Sequence, residues 1–115
     1  MNVKTKRIYD PAAATDGYRV LVDRLWPRGL TKEAAHIDRW MKEVAPSDEL
    51  RKWFHANMDE WDEFTARFTA EIEGSEALQE LKTLAAENET LTLLFSARTT
   101  DRNQALVLKE LLEKA

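Results

Sequence analysis

Two short runs constrain this chain more than any other feature: Val20-Leu21-Val22, and Leu91 to Phe95. The first is apolar throughout, the second is interrupted only by Thr92, and both are too short for an ordinary helix. A strand made from such a run carries apolar side chains on both faces, so it belongs inside a sheet that is covered on both sides. The segments between them have a different period. Met58, Trp61, Phe64, Phe68 and Ile72 mark an amphipathic helix ended by Gly74, and Leu78, Leu81, Leu84 and Ala85 mark another. Strands separated by helices imply a mostly parallel sheet with helices packed on it. The expected fold is therefore α/β, a small three-layer sandwich in which a short, mostly parallel sheet is flanked by helices.

The remaining elements follow from local signals. Val3 to Tyr9 alternates polar and apolar residues and stops at Asp10-Pro11, as a partly exposed strand does; Asp10 to Gly17 then reads as a loop. The second strand, Tyr18 to Asp23, ends in Arg24-Leu25-Trp26-Pro27-Arg28-Gly29, where proline and glycine interrupt regular structure. Thr31 is placed to cap a short helix through Lys32, Glu33 and Ala34, and Ser47 or Asp48 to cap one running to about His55. Arg102 to Lys114 reads as a terminal helix after a turn over Ser96 to Asp101. Ile37, Trp40, Met41 and Val44 stand at helical spacing, closed by Pro46. A sandwich with only three strands is short of one, however, and this same region is where a fourth is expected.

Composition sets outer limits. A chain of 115 residues has the length of one ordinary domain, so residues 1–115 are expected to form a single α/β unit. Such a domain buries roughly two thirds of the surface its unfolded chain exposes and needs no covalent staples. Cysteine is absent, which excludes disulfides, thiolate catalysis and thiolate metal sites. No apolar run approaches the roughly 20 residues that span a bilayer, and Met1 to Arg7 lacks the apolar stretch of a signal peptide. The cytoplasm is the expected location, with no membrane partner. A net charge of −4 argues against extensive nucleic-acid binding, though not against a local basic pocket.

Chemistry is concentrated at two strand ends. In open α/β sheets, ligands bind in the crevice beyond the carboxyl ends of the strands. Here those ends carry Asp23 to Gly29 and Ser96 to Asp101. Arg24, Arg28 and Arg98 present planar, fork-shaped donors suited to a carboxylate or phosphate. Gly29 lets backbone come close to a ligand, and amides at the start of the last helix add donors. Asp23 is the candidate general base, or a carboxylate that orients an arginine. The plainer alternatives are that Asp23 forms an internal salt bridge with its neighbouring arginine, and that Trp26 is a hydrophobic plug rather than a stacking platform. Ser96 lacks the glycines of a nucleophile elbow and reads as a hydrogen-bonding serine. His36 and His55 do not make a zinc site, and no metal site is expected. There is no G-x-G-x-x-G and no Walker-type loop, so no cofactor is identified.

The run Val20-Leu21-Val22-Asp23-Arg24-Leu25-Trp26-Pro27-Arg28-Gly29 resembles domain-of-unknown-function family 488, in its YeaO-like branch. Ala45-Pro46-Ser47, Glu49-Leu50-Arg51-Lys52-Trp53-Phe54, Leu93 to Ala97 and Asn103 fit the same family, so the resemblance covers nearly the whole chain. It implies a compact α/β fold and brings no reaction with it. It marks Asp23, Arg24, Trp26, Pro27, Arg28 and Gly29 as the family's hallmark, and adds Pro46, Ser47 and Asp48 near the same pocket. Members often carry paired asparagines at the last helix, where this chain has Asn103-Gln104. Ser47 and Asn103 thus join Arg24, Trp26, Arg28, Gly29, Ser96 and Arg98 as expected ligand-binding residues. Three functions remain open: a pocket for a small anionic ligand (phosphate, nucleotide or carboxylate), catalytic or not; a non-catalytic protein- or nucleic-acid-interaction module using the Arg/Trp loop; and a purely structural lock between sheet and helices.

Overall fold

The computed structural model, which describes residues 2–114, is built on a parallel four-stranded sheet in the order β1-β4-β2-β3. The strands are β1 (Asn2–Arg7), β2 (Tyr18–Leu21), β3 (Arg39–Trp40) and β4 (Thr90–Phe95). The helices are α1 (Lys32–Ala35), α2 (Asp48–Ala56), α3 (Trp61–Ile72), α4 (Glu76–Glu87) and α5 (Gln104–Glu113). β4 pairs along its full length with β1, and through Leu91 to Leu94 with β2. None of the described helices is long and apolar enough to cross a membrane.

Side-chain alternation along the strands divides the core in two. Val3, Val20, Val22, Leu91, Leu93 and Phe95 point to the face that carries α2 to α5, where Phe54, Phe64, Phe68, Leu81 and Leu108 are also buried. Phe54 stacks on Phe64 with ring centroids 4.1 Å apart, and Trp53 and Trp61 pack half-buried against this cluster. Ile8, Leu21 and Leu94 point the other way, to a smaller cluster closed by Ala35, Trp26, Leu30, Ile37 and Trp40. The three layers are therefore unequal: four helices cover one face, and α1 with its flanking loops covers the other.

The helical spacing of Ile37, Trp40, Met41 and Val44 does not make a helix. Arg39–Trp40 forms the edge strand β3, and Lys42–Val44 forms a single 3₁₀ turn. The free edge of β2 draws this segment in: Asp38 N–H donates to Arg19 O at 2.8 Å and Met41 N–H to Leu21 O at 2.9 Å. The four apolar residues are then shared between faces, Met41 and Val44 in the larger cluster, Ile37 and Trp40 against the smaller. A helix would have put all four on one stripe. The fourth strand expected in this region is thus present, as a two-residue edge. Elsewhere the boundaries move by one to three residues: Met58, read as the first residue of the long helix, lies in the turn before Trp61. β1 stops at Arg7, and β2 at Leu21, although Ile8 and Val22 each donate one more bond to β4.

Caps account for the helix starts. Thr31, Ser47, Ser75 and Asn103 each accept a backbone N–H from inside the helix that follows, at 3.1 to 3.3 Å.

Because β1 and β2 are both parallel to the strand between them, residues 8–17 must cross back over the sheet. This strap is tied down by polar contacts. Arg19 is buried and donates to Asp16 at 2.5 Å, to His36 O at 2.9 Å and to Ala35 O at 3.0 Å. Burial pushes the Asp16 carboxyl up, but the Ala13 amide, Lys6 and Arg19 outweigh it and hold it below the ordinary value. The strap ends at Gly17, with φ at +65° and an ideal Cβ position only 2.3 Å from Thr90 O. Gly17→Ala is expected to destabilise the fold by about 2 kcal/mol or more, combining left-handed strain with a backbone clash. Gly74→Ala, where φ is +82° but nothing lies within 4 Å, is expected to cost clearly less. Thermal melts of the two variants side by side check this; equal losses would remove the close approach as the cause.

Candidate functional site

Parallel pairing puts the carboxyl ends of β1, β2 and β4 on one edge of the sheet. The chain leaves those ends as Arg7 to Tyr9, Asp23 to Arg28, and Ser96 to Arg98. They surround a cavity of about 660 Å³, closed on the helical side by Ala45, Pro46, Arg51, His55 and Gln104. Five arginines (7, 24, 28, 51 and 98) line it against a single carboxylate, Asp23. In a chain of net charge −4, this is a local reversal of sign.

Asp23 is the centre of the floor. It is 8% exposed. One carboxylate oxygen accepts the Ser96 N–H at 2.9 Å and the other accepts the Gln104 side-chain amide at 2.5 Å. Its carbonyl accepts the Trp40 indole N–H at 2.7 Å. Burial pushes the Asp23 carboxyl above the ordinary value, against hydrogen bonds from Ser96 and Gln104 that favour the charged form. The salt bridge with Arg24, the plainer alternative, is absent: among the described residues no ion pair involves Asp23. Arg24 turns the other way, donating to Pro46 O at 3.0 Å and Ala45 O at 3.1 Å. Those carbonyls precede α2 and have no ladder partner, so the guanidinium fork stitches the loop after β2 to the start of that helix.

The arginines divide by what already holds them. Arg7 donates to Ala97 O at 2.9 Å and lies over the Tyr9 ring, 5.3 Å from its centroid. Arg51 donates to Asp48 at 3.0 Å, and that guanidinium is the main reason the Asp48 carboxyl sits below its ordinary value. The Arg51 Nε atom is buried and has no hydrogen-bond partner among the described residues. Arg28 and Arg98 are exposed, and among the described residues neither side chain makes a hydrogen bond. Arg28 is positioned through its backbone instead, its carbonyl accepting the Tyr9 hydroxyl at 2.8 Å.

Of the residues expected from sequence, Asp23, Arg24, Trp26, Arg28, Ser96 and Arg98 line the cavity; Gly29, Ser47 and Asn103 do not. Gly29 is an exposed turn residue with φ at +76°. Ser47 faces α3, donating to Glu71 at 2.6 Å while it caps α2. Asn103 is buried as the cap of α5 and donates to Thr99 O at 3.0 Å. Trp26 serves as the plug: its indole N–H donates to Leu30 O at 2.6 Å and its ring meets Trp40 edge-on at 5.3 Å. Sequence reasoning missed Arg7, Tyr9, Arg51, His55 and Gln104 as lining residues. Arg7 and Tyr9 had a usable signal, since they end a strand parallel to the other two, and Gln104 stood beside Asn103 at the paired-amide position of the resemblance. Among the described residues no three His, Asp or Glu side chains gather as a metal would need.

Comparison with known proteins places the chain among relatives of the same size. The profile of a family described as the inactive DUF488-N3 subclade matches residues 2–115. The uncharacterised protein YeaO of Escherichia coli K12 is 50% identical over 112 residues, covering 96% of each chain. Uncharacterised proteins of Mycobacterium tuberculosis H37Rv and Mycobacterium bovis are each 41% identical over 110 residues, covering 96% of this chain and 92% of theirs. No solved structure matches it significantly.

Two predictions follow from the division of labour at this edge. Arg24→Ala leaves two inward-facing carbonyls without donors and is expected to lower stability by about 1–3 kcal/mol. Arg28→Ala and Arg98→Ala are expected to stay within about 0.5 kcal/mol of wild type in urea unfolding. Equal losses at all three would make the whole arginine set structural. For Asp23, a folded-state pKa raised above the unfolded value means that ionisation costs stability. The penalty is absent at low pH and grows as pH rises through the raised value. The melting temperature of Asp23→Asn relative to wild type should therefore climb from about pH 4 towards neutrality; a constant or falling difference contradicts the raised pKa.

Proposed function

The chain belongs to the DUF488-N3 subclade described as inactive, and on that premise we propose that it binds a small anionic ligand at the carboxyl edge of its sheet without turning it over. The observation that carries this reading is the cavity lined by five arginines and one carboxylate, with Arg28 and Arg98 uncommitted. Arginine forks match phosphate and carboxylate oxygens in pairs, and a recess that partly excludes water strengthens each contact. The size fits a small molecule, which typically occupies a pocket of about 300–1,000 Å³. The basic groups are gathered in one recess of an acidic chain, which suits a compact anion better than a long nucleic-acid backbone.

Binding without turnover agrees with the chemistry of the lining. Ser96 and His55 both border the cavity, but among the described residues no hydrogen bond joins them as nucleophile and base. A second reading, docking of a partner protein on the Arg/Trp loop, draws on Leu25, which is 61% exposed between two anchored neighbours.

A thermal-shift screen of phosphate, nucleotides and carboxylates tests the anion reading. A ligand at about 100 times its Kd is expected to stabilise wild type by about 2.7 kcal/mol. Arg28→Ala and Arg98→Ala are expected to lose that shift while keeping the ligand-free melting temperature. No shift with any anion, or an undiminished shift in both variants, sinks the proposal.

A further inference from the structure

Resting on that anion-binding reading, we infer that the ligand is an organic phosphate bearing hydroxyl or amino donors, one of which bonds to Asp23, and not a bare oxyanion. Three observations carry this. The first is the carboxylate itself. An inorganic oxyanion settling among these arginines would meet Asp23 on the same floor, and like charges at short range repel. A ligand escapes the repulsion if it keeps its charge at the arginines and turns a donor towards Asp23. The carboxylate has room for one: Ser96, through its amide and side chain, and Gln104 donate to it, and a carboxylate has about four acceptor positions.

The second is size and lining. About 660 Å³ greatly exceeds what one phosphate group fills, and the space beside the arginines is walled by Leu25, Trp26, Pro27 and Pro46. Those walls suit a carbon body between the acidic group and the donor. The third is the number of donors. Arg28 and Arg98 each bring an uncommitted fork, and Arg24 keeps one guanidinium nitrogen beyond the two that hold Ala45 and Pro46. Two forks engage more oxygens than the two of a carboxylate, whereas a phosphate ester offers three outer oxygens.

Titration calorimetry on the full chain separates the terms with five probes: inorganic phosphate, phenyl phosphate, ribose 5-phosphate, uridine 5′-monophosphate and uridine. At least one of the two hydroxyl-bearing phosphates is expected to bind at least about tenfold more tightly than phosphate or phenyl phosphate, with uridine weakest. Asp23→Asn is expected to narrow that preference while raising affinity for inorganic phosphate. If all four phosphates bind wild type alike, or if Asp23→Asn tightens them all by the same factor, the inference is overturned and the anion pocket stands. If none binds, the inference is overturned, and the anion reading falls with it only if carboxylates also give no thermal shift. The wild-type series decides the matter without the variant, should Asp23→Asn fail to fold.

Discussion

Burial of β4 on both faces is the constraint from which the rest of this structure follows. Leu91 through Leu94 have no exposed surface, and the strand is hydrogen-bonded on both edges, to β1 and to β2. A strand in that position needs a covering layer on each side, and its neighbours here run parallel to it. Parallel neighbours cannot be joined by tight hairpins, so the chain must cross the sheet repeatedly. Long helical crossovers fill the larger face. The shortest connection, residues 8–17, crosses the other as a strap held by the Asp16, Lys6 and Arg19 contacts. The same parallelism delivers three chain exits to one edge, and the cavity is what those exits enclose.

Rigidity at that edge comes from interactions that a contact-free view of the motif would assign to ligand. Arg24 spends two nitrogens on Pro46 and Ala45, and Trp26 spends its indole N–H on Leu30. These hold the Asp23 to Gly29 loop between α2 and the smaller core. Arg28 inherits its place from that scaffold, and from the Tyr9 hydroxyl on its carbonyl, while its side chain stays free. Within one seven-residue run, then, Arg24 and Trp26 frame the site and Arg28 faces it. This is why fold and site are hard to separate in such a motif: removing Arg24 disturbs the position of Arg28.

The sequence made the buried strands and several helix starts readable, because those depend on local signals: short runs of consecutive apolar residues, and Thr31 and Ser47 as caps. It misled where burial is decided by tertiary pairing. The spacing of Ile37, Trp40, Met41 and Val44 is as good a helical pattern as any in the chain, yet the free edge of β2 recruits the segment as a strand and sends its side chains to both faces. The same limit explains the site. Ser47 and Asn103 carried the right chemistry and were taken up by helix capping. Arg51, His55 and Gln104 reach the cavity only because α2 and α5 pack where they do, and nothing in their local spacing announces it.

The position of Asp23 argues against a purely structural reading of this edge. A buried carboxylate that serves stability alone is normally matched to a cation, because leaving a buried charge unpaired is costly. Asp16 shows that solution within the same molecule, with Lys6 and Arg19 both in contact with it. Asp23 shares a cavity lining with five arginines and pairs with none of the described cations; it accepts one amide N–H and one side-chain amide, and burial raises its pKa. The Arg24 side chain lies close enough in sequence to neutralise it and instead serves two carbonyls. An arrangement that holds one carboxylate and several guanidinium groups apart in a common recess keeps opposite charges available for a third party, and a ligand with an acidic group and a donor satisfies both at once.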